Sequence, residues 1–110
     1  MNKQILENMA ANAFKNMQAA LDKSFVAAGS TIDARQSLEA DKSAALVSGK
    51  IDGKNEEIRK AQLRDALEGQ YQAVAEMEHN ERLAMYNLEK ARIEIDTVKT
   101  MLRIAELSEV

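Results

Sequence analysis

Three stretches of the chain carry a helical rhythm of apolar positions. Between residues 3 and 28, Leu6, Met9, Ala10, Ala13, Phe14, Met17, Ala20, Leu21 and Phe25 recur at spacings of three and four, which places them on one helix face. Lys3, Asn12, Lys15 and Lys23 lie largely off it. Gly29 follows where a left-handed residue closing that helix belongs. Ser30, with Asp33 three residues on, forms a capping pair for a second helix over residues 31–47. The apolar face of that helix (Ala34, Leu38, Ala45, Leu46) is weak and is interrupted by Asp41 and Lys42. Residues 48–54, with Gly49 and Gly53 around Ile51 and Asp52, predict a loop.

The third stretch predicts one long helix over residues 55–108. Asn55 is an N-cap residue, and Glu56 and Glu57 suit the positive end of the helix dipole. With Leu67 at a heptad a position, a seam runs from Leu63 to Ala105 through Leu67, Val74, Met77, Ala84, Leu88, Ala91, Ile95, Val98 and Leu102. Only Gln70 and Glu81 interrupt it, which is the pattern of coiled-coil packing. At ~1.5 Å per residue such a helix spans about 80 Å, against ~27 Å for a compact domain of this size. The helix therefore breaks near Glu78–Glu81, or the molecule is elongated. Beyond residue 80 the far side also turns apolar, with Leu83, Tyr86, Ile93, Ile104 and Leu107 opposite the seam. A helix apolar on both sides must be covered on both sides, and a short partner drawn from residues 3–47 cannot do this. The expected interface for a second copy or a partner is Leu83, Tyr86, Leu88, Ile93, Ile95, Val98, Leu102, Ile104 and Leu107.

The fold class expected is all-α: an elongated helical hairpin or small bundle, one domain over residues 1–110, with a coiled-coil-like C-terminal helix. Composition agrees. In 110 residues there are eighteen alanines, no proline and 4% aromatics, so helices form readily but bury little area per pair. A homo-oligomer is the expected way to complete the core. The absence of cysteine excludes disulfides, thiolate metal sites and a cysteine nucleophile. No apolar run reaches the ~18 residues a membrane helix needs, and the start breaks to Glu7 too early for a secretory signal. A cytoplasmic protein is expected. Its net charge of −3 argues against a general nucleic-acid coat.

Four local patterns bear on chemistry. Gly49–Asn55 resembles a phosphate-binding loop only faintly. The spacing between the glycines is one residue short, Asn55 stands where Ser or Thr is required, and no strand precedes it. A helix–helix connection is the simpler reading. Glu76 and His79 have the Glu-x-x-His spacing of di-iron bundles, which a symmetric dimer would double, with Glu39 or Glu7 as the extra carboxylate. His79 falls at an outer heptad position, however, so a solvated His beside a Glu78–Arg82 pair is preferred. Arg92, Lys99 and Arg103 form a basic strip that could track a nucleic-acid backbone, with Tyr86 as a stacking residue. Glu89, Asp96 and Glu106 balance it into an ordinary solvated face. The first helix is amphipathic enough for a membrane surface, but Glu7 and Asp22 dilute its polar face, so core packing of Phe14 and Phe25 is preferred. No group has an assignable catalytic partner; neither an enzyme nor a cofactor is expected.

The run Gly49-Lys50-Ile51-Asp52-Gly53-Lys54-Asn55-Glu56-Glu57-Ile58-Arg59-Lys60-Ala61-Gln62-Leu63, with the charged heptad helix after it, resembles small uncharacterised helical phage early proteins. The resemblance covers residues 45–107. It implies a phage or prophage origin and a place in the host cytoplasm, and it carries over no catalytic residue. The function expected is a non-enzymatic binding protein that docks on a host or phage protein and inhibits or recruits it, in counter-defence or host-enzyme inhibition. The alternatives are an accessory to phage DNA recombination or replication, a di-iron protein assembled across a dimer, and a small-molecule binder at an oligomer interface.

Overall fold

The computed structural model describes residues 2–108. The protein is all-α: α1 spans Lys3–Val47, α2 Glu56–Ala66 and α3 Glu68–Ser108, with no strand among the described residues. Two expected boundaries are corrected. The helices expected over 3–28 and 31–47 are a single helix, and Gly29 lies inside it with helical rather than left-handed geometry. The only positive φ among the described residues is that of Gly49 (76°), just past the end of α1. The reason is visible in the phase of the inward positions. Ala20, Ser24, Ala27, Thr31, Ala34 and Leu38 alternate by four and three straight through Gly29, and all are buried or half-buried. A helix end there would have shifted that phase.

Gly29 therefore has the opposite mutational sign from a capping glycine. A Cβ built on it meets nothing within 4 Å, so Gly29→Ala should stabilise the protein by about 0.5–1 kcal/mol. Gly49→Ala should destabilise it, because φ there is positive. Paired thermal melts check both signs. A fall in melting temperature for Gly29→Ala would restore the two-helix reading of residues 3–47.

The second correction concerns the expected helix over 55–108. It is interrupted at Leu67 (φ −115°, ψ 30°), not at Glu78–Glu81, which is helical. The hydrogen-bonded ladder crosses the interruption: the Leu67 N–H donates to the Leu63 carbonyl (2.9 Å) and the Tyr71 N–H to the Leu67 carbonyl (3.0 Å). The junction is a local departure from helical dihedrals at Leu67, and Gly69, two residues on, lowers the helix propensity around it.

The chain forms two compact units. One holds residues up to Val26 and those from Arg82 onward; the other holds Ala27–Glu81. In the first, α1 runs antiparallel to α3: the Asn16 amide donates to Glu94 (3.4 Å), and Met9 and Asn12 line a groove with Glu94, Thr97 and Val98. Leu6, Ala13, Ala91 and Val98 are buried there. In the second unit the core is Leu38, Leu67 and Val74, flanked by Ala34, Leu63 and Tyr71. The seam read from the sequence is the face that packs: every position from Leu63 to Ala105 is buried or half-buried. Phe14, Leu21 and Phe25 are a third correction. They sit beside the seam of α1 rather than on it and are exposed, Phe25 by 81%.

Thr31, 1% exposed, occupies a seam position. Its hydroxyl lies 3.1 Å from the carbonyls of both Ala27 and Met77, so a buried polar group is satisfied within its own helix and across to α3. The small neighbours Ala27 and Ala34 allow the helices to approach closely enough for that reach.

Candidate interaction surface

The loop motif is a structural clamp. Gln62 accepts from the Gly53 N–H (2.9 Å) and donates to Asp52 (3.0 Å), while Arg59 donates to the Gly53 carbonyl (3.1 Å). Asn55 caps α2 by accepting from the Ile58 N–H (2.9 Å), and Ile51 is buried. Asp52, Gly53, Asn55, Arg59 and Gln62 are thus spent on turning α1 into α2. None of these contacts builds a cradle of N–H groups aimed at a phosphate, and the nearby groove is lined by Asn55, Glu56, Glu57 and Lys60, two of them acidic.

The other expected sites disperse. Glu76 and His79 are both exposed on α3, and Glu39 is paired with Lys42 (3.0 Å). Among the described residues no three metal-ligating side chains come together. Glu78 pairs with Arg35 of α1 (3.4 Å) rather than with Arg82. Arg92 pairs with Glu89 (3.4 Å), and Lys99 and Arg103 are exposed. No described helix is long and apolar enough to cross a membrane.

One cluster carries no signal in the sequence. Lys42 and Arg64 both lie over the ring of half-buried Tyr71, at 5.3 and 5.2 Å from its centre. The hydrogen bond to Glu39 is the main cause holding the Lys42 pKa above its ordinary 10.5; contact with Tyr71 adds to it and burial opposes it. A raised lysine pKa stabilises the fold below the ordinary value and is lost only as pH rises through the shifted one. This contribution is therefore intact at neutral pH. The cluster covers the core of the second unit with two cations facing one ring.

The expected interface residues divide between two faces of α3. Val98 is buried, and Leu88, Ile95 and Leu102 are half-buried on the inner seam. Leu83, Tyr86, Ile93, Ile104 and Leu107 are all exposed on the outer side, Tyr86 by 61%. These five fall on a second heptad stripe, whose remaining turns are filled by Lys90, Thr97 and Thr100. The polar members are subdued. The hydroxyls of Thr97 and Thr100 donate back to the carbonyls of Ile93 and Asp96, each at 2.9 Å. The Lys90 ammonium lies 5.6 Å from the Tyr86 ring centre, along the stripe. Together the five form the apolar side of α3 that its packing on α1 leaves open to solvent. Comparison of the chain with protein-family models, with curated proteins and with solved structures gives no match.

Proposed function

We propose that this chain is a non-enzymatic binding protein of phage type, acting in the host cytoplasm. It self-associates and occupies a surface of a host or phage protein, which it thereby inhibits or recruits. Counter-defence or inhibition of a host enzyme is the form of action we favour. The observation that supports this reading is exposed apolar surface on both long helices: five large side chains on the outer stripe of α3, whose opposite face is already packed, and Phe14, Leu21 and Phe25 on α1. The chemistry-bearing groups, by contrast, are scattered or engaged in the fold: Glu39 with Lys42, Glu78 with Arg35, and Gln62 and Arg59 with the loop. The phage assignment rests on the resemblance of the loop and heptad region alone.

The experiment is affinity capture from a bacterial host with tagged wild type, Ile93→Asp and Phe25→Asp, with Lys60→Ala as the control. Ile93 and Phe25 are exposed, so a charge there leaves the helices intact, which circular dichroism verifies. A protein captured by wild type and control but reduced tenfold or more by either Asp variant supports the proposal. A capture set indifferent to both variants sinks it.

A further inference from the structure

We infer that the outer stripe of α3 is a self-complementary seam that takes a second copy of this chain in antiparallel orientation, with the two-fold axis at the level of Ile95. The inference deepens the binding reading above by naming the occupant of this one face.

The argument begins with the order of residues along the stripe. About the level of Ile95 it has the same apolar–polar–apolar character read in either direction. An antiparallel pair places Leu83 against Leu107 of the second copy and Tyr86 against Ile104, so that apolar layers close both ends. Nearer the centre, Ile93 meets Thr97, and Lys90 meets Thr100. The threonine hydroxyls are already bonded to their own helix, so burying them strands no donor. A parallel pair would instead set Lys90 against Lys90 in one layer and bring like charges together inside the seam.

The flanking charges point the same way. In the antiparallel arrangement Glu89 of one copy, which also holds Arg92 of its own chain (3.4 Å), lies level with Arg103 of the other, and symmetry gives the contact twice. The parallel arrangement would place Glu89 beside Glu94 twice, in like-charge contact. The antiparallel axis does bring Asp96 near its own copy and Glu94 near its own. Both are exposed rim contacts that salt screens, and Glu94 is also held by Asn16 within its chain. The arrangement uses only residues of the unit formed by α1 up to Val26 and α3 from Arg82, so it does not depend on the remainder of the chain.

Because the chain contains no cysteine, orientation can be read by directed cross-linking. Tyr86→Cys and Ile104→Cys, each a single variant of the full chain, are mixed and oxidised. The antiparallel pair yields the mixed 86–104 disulfide, whereas a parallel pair yields 86–86 and 104–104, since bridged Cα atoms must lie within about 7 Å. In parallel, sedimentation of the cysteine-free chain should give twice the 12.2 kDa chain mass. Glu89→Arg and Arg103→Glu should each weaken the dimer about tenfold, and the double variant Glu89→Arg/Arg103→Glu should recover it. Recovery is specific to orientation, because in a parallel pair the two sites stand about 21 Å apart along the axis.

Homodisulfides in place of the mixed one, or no recovery in the double variant, overturn the antiparallel seam. A chain monomeric at every concentration, whose capture of another protein is lost with Ile93→Asp, also overturns it. That outcome puts a different protein on the stripe and preserves the binding reading. An antiparallel dimer whose host capture ignores both Ile93→Asp and Phe25→Asp keeps this inference and removes the other.

Discussion

Leu38→Ala is expected to cost about 2–5 kcal/mol, the range for truncating a buried leucine when its neighbours cannot fully collapse. Leu38 is 6% exposed and centres the cluster in which α1 meets both Leu67, at the junction of α2 and α3, and Val74, one heptad further on. The rim of this cluster is Ala34, Leu63 and Tyr71, and Tyr71 is itself fixed under Lys42 and Arg64. These constraints leave little freedom to fill a void. A chain with so few large buried side chains has little stability to spare, since whole domains are stable by only ~5–15 kcal/mol. Urea unfolding followed by circular dichroism should show a large drop in midpoint. Leu46→Ala on the same helix, where the leucine is 48% exposed, should change it by under about 1 kcal/mol. Equal effects at the two sites would mean that the cluster is not the core of its unit.

The second large effect is expected at Gly53. A Cβ there would stand 2.7 Å from Ile58 Cγ2, 3.0 Å from Gln62 Oε1 and 3.1 Å from the backbone nitrogen of Arg59. The Gln62 side chain can swing aside, but only by giving up its hydrogen bond from the Gly53 N–H. The Arg59 nitrogen belongs to the first turn of α2 and bonds the Asn55 carbonyl at 3.0 Å, so it cannot yield without unseating the cap. Gly53→Ala should therefore destabilise by about 1–3 kcal/mol, as overpacking does. Gly69→Ala, with nothing within 4 Å of its Cβ, should be neutral or stabilising. Denaturant melts of the two variants check the contrast. A harmless Gly53→Ala would show that the clamp contributes little to the connection.

These two sites show what was legible in the chain and what was not. The inner seam of α3 was readable because large side chains repeat there with a strict heptad phase, and each of its positions turned inward. The N-cap at Asn55 and the loop at 48–54 were readable because Asn and Gly have local backbone reasons to be there. Gly29–Ser30 imitates a helix end in its local chemistry, although the phase of the inward positions runs straight through it. The seam through Ala27, Thr31 and Ala34 is built of small residues, so its continuity carries little hydrophobic signal. Phe14, Leu21 and Phe25 misled for the complementary reason: large residues drew the apparent face away from the alanines that actually pack. The interruption at Leu67 carries little sequence signal, because Gly69 is a single glycine in an otherwise helical run. The outer stripe was legible only in its apolar members. That Lys90, Thr97 and Thr100 complete it requires knowing where their polar atoms go.

The clamp around Gly53 also sets an order of events in folding. Contacts near the connection join residues close in sequence, whereas Thr31 and Met77 are 46 residues apart and Asn16 and Glu94 are 78 apart. Loop-closure entropy rises with the length of chain enclosed, by ~0.6 kcal/mol for each doubling. The connection is therefore the cheapest place to nucleate, and pairing of α1 with α3 inside the Ala27–Glu81 unit is expected to follow from it. On the same argument the stretch of α3 that carries the outer stripe is expected to pair after it, since its contacts enclose more chain. A chain folding in this order would complete its α1–α3 pairing in the Ala27–Glu81 unit before the surface it would offer to another molecule exists in finished form.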